Sequence, residues 1–207
     1  MSPQPEPALA AVDALRAGQV VGVPTDTVYG VAVDPARPGA TDALFAVKER
    51  PRSVSLPVLV ADLDQAVAAV AADGALAPAT AARRLADALW PGGLTLVVAR
   101  RPGLGWDLGG DDDRTVGLRC PDQAIIHRLC AAVGPLATTS ANRHGQPPLT
   151  TAAAVAAAFG DHLAVVVDGG TCDGVPSTVV DCTGPTLRCL RQGTVPWETV
   201  QQLGAAS

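Results

Sequence analysis

Three hydroxyl-rich segments stand beside apolar runs in this 207-residue chain: PTDT with Thr25, Asp26 and Thr27, TTSAN with Thr138, Thr139, Ser140 and Asn142, and PST with Ser177 and Thr178. Such groups suit a polar ligand, because α/β sheets gather binding residues on the loops outside their strand ends. Any one of the three is explained as well by turn and helix-cap chemistry; together they favour a site. Cations add to them. Arg119 lies inside the apolar stretch TVGLR, where a guanidinium is costly unless it meets an anion, either an internal aspartate or a ligand. Lys48, Arg50 and Arg52 sit in KERPR and Arg191 follows an apolar run; for the first three a solvated helix end opposing the dipole is an equally good account.

Other chemistries find less material. Neither a GxxxxGK[ST] loop nor a GxSxG elbow is present. His127 falls on an apolar-faced helix and reads as structural, His162 at a helix end, and His144 close to Ser140 and Asn142. Gly103, Gly105 and Gly109 have the spacing GxGxxxG rather than GxGxxG, and Asp111 to Asp113 read as a solvated turn. The 5 cysteines are odd in number and lack CxxC spacing, so buried thiols are expected rather than a disulfide framework or a zinc site.

The elements that would position these residues follow from periodicity. Helices are expected over 8–17, 41–50 with Thr41 as its cap, 61–70 entered near Asp62, 79–90, 122–133, 151–159 and 196–203. Strands are expected at 20–23, 28–33, 56–60, 94–99, 115–120, 136–139, 164–167, 178–181 and 187–190. Helices and strands alternate early and strands cluster late, which predicts an α/β fold on a mixed sheet. The length suits one domain, 1–207.

Composition excludes several classes. A net charge of −5 argues against a chain that clamps nucleic acid through bulk charge. The three Trp, one Tyr and two Phe leave little for base stacking. No apolar run nears the roughly 20 residues that span a bilayer, and the first residues do not read as a secretion signal, so a cytoplasmic protein without membrane contact is expected. Among 15 basic residues, 14 are arginine and Lys48 alone is lysine.

In order, GQVVGVPTDTVYGVAVDP, KERP, WPGGLTLVV, TVGLRCP, TTSANRHGQPP, DGVPSTVVD and LRQG resemble the YrdC-like threonylcarbamoyl-AMP synthases from about Gly18 to Gly193. The resemblance implies a single YrdC-like catalytic domain, with a twisted mixed β-sheet, flanking helices and a central positively charged cavity. It implies synthesis of L-threonylcarbamoyladenylate and pyrophosphate from L-threonine, bicarbonate or CO2, and ATP, for threonylcarbamoyladenosine modification of tRNA. ATP enters as a substrate, Mg2+ accompanies it, and no organic cofactor is implied. The product would pass to a tRNA threonylcarbamoyltransferase complex, with at most a weak contact to double-stranded RNA such as tRNA.

Matched position by position, the resemblance implies threonine contacts at Thr27, Arg119, Ser140 and Ser177. It implies ATP contacts at Lys48, Arg50, Thr115, Asn142, Thr150 and Arg191, with Lys48 and Arg50 as catalytic cations facing the triphosphate; it names no protein ligand for the metal. Val54, Leu59, His144 and Gln192 depart from the family pattern, and Arg52 or Ser53 would then supply the polar group that Val54 lacks. A compact ammonium reaches phosphate oxygens differently from a planar fork, so Lys48→Arg is expected to impair turnover more than a change at an arginine such as Arg84, expected on the surface. The alternatives are a YrdC-like RNA- or ribosome-binding protein without synthase activity, a carbamoyl-transfer module, and a nucleotide-binding protein without a reaction.

Overall fold

Runs of valine and leucine broken by proline and glycine set the strands, and amphipathic alanine-rich stretches set the helices. The computed structural model describes residues 7–49, 51–70, 74, 76–77, 80–111, 113–143 and 145–205. In chain order the elements are α1 (Pro7–Arg16), β1 (Val21–Val23), β2 (Gly30–Val33), α2 (Ala40–Lys48), β3 (Val58–Leu59), α3 (Leu63–Ala69), α4 (Ala81–Leu89), β4 (Leu94–Ala99) and β5 (Thr115–Arg119). Then come α5 (Ala124–Val133), β6 (Leu136–Ser140), α6 (Ala152–Phe159), a 3-10 turn (Gly160–His162), β7 (Val165–Val166), β8 (Thr178–Asp181), β9 (Arg188–Arg191) and α7 (Trp197–Ala205).

These strands form one twisted mixed sheet in the order β7-β1-β2-β6-β3-β5-β4-β8-β9. The pairs β1–β7, β3–β5 and β4–β8 are parallel; β1–β2, β2–β6, β3–β6, β4–β5 and β8–β9 are antiparallel. The register sets Gly30 opposite Ser140, Leu59 beside Arg119 and Leu94 beside Thr178, so three of the segments singled out in the sequence become neighbours.

Because side chains alternate across a strand, each sheet face feeds its own core. Val31, Val33, Val58, Leu96 and Leu118 pack into one cluster with Leu44 of α2, Leu85 of α4 and Val155 of α6. Val21, Val23 and Ala32 pack into a second with Leu15 of α1 and Ile126 and Leu129 of α5. Truncating a fully buried leucine such as Leu118 to alanine costs about 2–5 kcal/mol.

Caps explain most helix starts. Asp62 accepts from the Gln65 N–H at 2.8 Å, Thr80 from Arg83 at 3.1 Å and Thr151 from Ala154 at 3.2 Å, each worth about 1 kcal/mol. The expected cap at Thr41 is not found. Gly39, with φ of 78°, caps α2 two residues earlier than Thr41 would; left-handed backbone of this kind favours glycine. The Thr41 hydroxyl instead donates to the Asp107 carbonyl at 2.7 Å. The helix stops at Lys48 because Glu49 turns left-handed, with φ of 48°. Among the described residues, no helix is long and apolar enough to cross a membrane.

Candidate functional site

A cavity of about 520 Å³ lies against one face of the sheet and is lined by residues of β3, β4, β5, β6, β8 and β9 together with the PTDT turn, a size that suits a small ligand. Six of the ten site residues implied by the resemblance line it, Thr27, Thr115, Arg119, Ser140, Ser177 and Arg191, together with Thr25, Thr138 and Thr139 of the hydroxyl-rich segments. Both arginines face it, and no carboxylate is among the described lining residues.

Arg119 resolves both halves of its sequence reading. Its side chain is 6% exposed; Nε donates to the Gly92 carbonyl at 3.1 Å, NH1 to Thr27 Oγ1 at 2.8 Å and NH2 to Asp26 Oδ1 at 2.6 Å. It therefore pairs with an internal aspartate and still faces the cavity. Burial lowers the Arg119 pKa from its ordinary value and the Asp26 charge opposes that shift. Arginine nevertheless stays protonated in proteins.

The PTDT turn fixes Thr27. Thr25 Oγ1 accepts from the N–H groups of Thr27 and Val28, each at 3.1 Å, and donates to the Val28 carbonyl at 2.6 Å. Thr25 Oγ1 also lies 3.0 Å from Thr27 Oγ1. Thr27 Oγ1 presents a lone pair to Arg119.

Arg191 is held from β8. Its Nε and NH2 donate to the Ser177 carbonyl at 3.1 and 2.9 Å, and NH2 also reaches Ser177 Oγ at 3.1 Å. Burial lowers its pKa as well. Ser177 Oγ lies 2.9 Å from Thr95 Oγ1, so Thr95 completes the group. Thr95 was missed in the sequence, although the alternation Thr95, Val97 in LTLVVA places one polar residue on the face that becomes the cavity wall.

Lys48 and Asn142 form a second layer. Ser140 Oγ donates to Asn142 Oδ1 at 2.7 Å, and Lys48 Nζ donates to the same oxygen at 3.0 Å and to the Asn142 carbonyl. Lys48 is 8% exposed, with Nζ 5.9 Å from the Phe159 ring centroid. Lys48 and Asn142 thus touch the cavity through Ser140 rather than lining it. Thr150 is also outside the lining; its carbonyl accepts from the Cys172 N–H at 2.9 Å. Arg50 and His144 lie outside the described residues.

Two smaller expectations change. Arg52 is turned to Asp42 and Asp107, and Ser55 beside Val54 lines the cavity instead. Arg84 is half-buried rather than on the surface, because its guanidinium donates to the Gly204 carbonyl of α7 at 2.6 Å. Leu59 lines the cavity. His127 Nε2 lies 2.6 Å from the Pro121 carbonyl, which agrees with a structural role.

Residues 13–193 match the sequence profile of the Sua5/YciO/YrdC family, described as telomere recombination. A putative threonylcarbamoyl-AMP synthase from Mycobacterium tuberculosis is 41% identical over 198 residues, covering 94% of this chain and 88% of that protein. A threonylcarbamoyl-AMP synthase from Chromohalobacter salexigens is 38% identical, covering 86% of this chain and 94% of its own. The crystal structure of P. abyssi Sua5 complexed with L-threonine superposes with a TM-score of 0.82 at 31% identity, covering 95% of this chain; this chain spans 56% of that longer protein. The profile match, these relatives and the shared sheet show that the chain belongs to the Sua5/YciO/YrdC family.

Proposed function

We propose that the chain is a threonylcarbamoyl-AMP synthase and, by reaction class, a nucleotidyltransferase. The observation that carries this reading is the buried Arg119–Thr27 pair set in a cavity that also holds Arg191. Of the five N–H groups on a guanidinium, the three bonds of Arg119 leave one on each terminal nitrogen. That pair suits the α-carboxylate of L-threonine as a fork. Ser140 and Ser177 then complete the threonine side, Arg191 faces the nucleotide, and Lys48 answers the triphosphate from the Asn142 side, with Arg50 proposed as the second cation for it.

In the proposed reaction the threonine amine takes up CO2, directly or from bicarbonate, as a carbamate. A carbamate oxygen attacks the α-phosphorus of ATP, the bond to the β-phosphate oxygen breaks, and pyrophosphate leaves with the electron pair. No protein nucleophile is required; positioning and offset of developing charge carry the rate. Magnesium comes with the triphosphate. Among the described residues no group of three or more His, Cys, Asp or Glu side chains gathers as a cation site, and hydroxyls with guanidinium groups are a poor cage for it, so no step is assigned to a protein-held metal. The adenylate is passed to a tRNA threonylcarbamoyltransferase in the cytoplasm.

Pyrophosphate release by the purified protein tests the reading. Release should require L-threonine and bicarbonate together, and release that persists without either would overturn it.

A further inference from the structure

The segment 51–57 between α2 and β3 has little regular structure, yet Val54, Ser55, Leu56 and Pro57 form one wall of the cavity. Its position is set from outside by the strap 100–110. The Gly110 N–H donates to the Arg52 carbonyl at 2.6 Å and the Leu56 N–H to the Leu108 carbonyl at 2.9 Å. The Arg52 guanidinium reaches both Asp107 carboxylate oxygens, at 2.9 and 2.7 Å, and also Asp42 on α2, while stacking 5.1 Å from the Phe45 ring centroid. One side chain thus joins the helix that carries Lys48, the wall and the strap.

Asp107 anchors the strap in turn. Its carbonyl accepts from Thr41, its N–H donates to the Pro35 carbonyl at 3.4 Å, and its carboxylate accepts from the Gly109 N–H at 3.0 Å. Gly109 has φ of 65°, and a Cβ there would come within 2.5 Å of the Phe45 ring, so the strap has little room to slide. Neither Arg52 nor Asp107 lines the cavity.

We propose that Arg52 and Asp107 are positioning residues that hold the Val54–Pro57 wall at the distance nucleotide binding needs; the nucleotide part of this rests on the function proposed above. Exposed ion pairs add little to global stability, so the effect should be local. The Arg119 end rests on Asp26, Thr27 and Gly92 instead, and threonine binding should not depend on the strap.

The test compares wild type with Arg52→Met, Arg52→Lys, Asp107→Asn and the double variant Arg52→Met/Asp107→Asn. The expected result is an ATP KM raised about tenfold in Arg52→Met and in Asp107→Asn with kcat within about threefold, a double variant no worse than either, and an intermediate Arg52→Lys. Threonine affinity measured by calorimetry without nucleotide should stay within about twofold, and amide hydrogen exchange over 51–57 should quicken about tenfold while β4 and β5 keep their protection. Unchanged exchange over 51–57 or an unchanged ATP KM would overturn the proposal. So would a fall in Tm with parallel loss of threonine affinity. If wild type showed no threonine-dependent turnover, the functional reading would fail, and the exchange measurement would still decide whether these residues set the wall.

Discussion

The Arg119 end of the site and its Lys48 corner both set a cation among hydroxyls, but on different supports. Arg119 stands on β5 between β3 and β4 and is bonded to an aspartate, a threonine and a backbone carbonyl. Lys48 ends a helix, and its described contacts include the Oδ1 and carbonyl of Asn142. A counter-charged, strand-borne arginine is a fixed fork. It can orient a small carboxylate, but part of its charge is already answered. A compact ammonium on a flexible four-carbon stem can turn toward an arriving polyanion by exchanging one acceptor for another. In the reaction proposed above, shape selection and charge offset would be divided between the two regions.

Removing the fixed fork should do the most damage. Arg119→Met is expected to lower kcat/KM for threonine about a thousandfold and stability by about 3 kcal/mol, the low end for a broken buried pair, because Asp26 reaches solvent. The double variant Asp26→Asn/Arg119→Met should regain much of the Tm without regaining activity. If activity returned as well, the division drawn above would be wrong. Lys48→Arg keeps the charge and changes its shape, and should cost roughly tenfold to a hundredfold in turnover. Arg128→Lys on the exposed side of α5 should stay within about twofold by the same assay. Equal activity of these two variants would remove the special role given to the ammonium.

The smallest effect concerns pH. Burial raises the Cys120 thiol to about 11, and the thiols of Cys130, Cys172 and Cys182 are raised by the same cause. A folded pKa above the unfolded one means stability that is whole below the ordinary thiol range and lost as pH rises through the folded values. Tm should therefore fall between about pH 8.5 and 11, less steeply in Cys120→Ala. A flat profile would show that these thiols ionise as readily in the fold as outside it.

Much of this was legible in the residues. The strands containing TVGLR, LTLVVA and TVVD stand where periodicity put them, and the cost of burying Arg119 pointed to a residue that lines the cavity. The loops were less legible. Arg52 was expected near the ligand because it follows KERP, but its partner Asp107 lies 55 residues further on and no local pattern links the two. Thr41 looked like a cap, and a left-handed glycine two residues earlier took that role. Arg84 looked like a surface cation until α7 packed against it. For Arg52 and Arg84 a long-range contact decided the outcome, and for Thr41 the backbone of a neighbouring glycine did.

The strand order also governs when the site can exist. β6 lies between β2 and β3, and β8 and β9 complete the wall beyond β4, so neighbours in the sheet are often far apart in the chain. Pairings of that kind must close large loops before they are rewarded, which slows folding. During synthesis β2 and β3 each keep an unpaired edge until β6 has emerged, and the Arg191 side of the cavity is absent until β9 has followed.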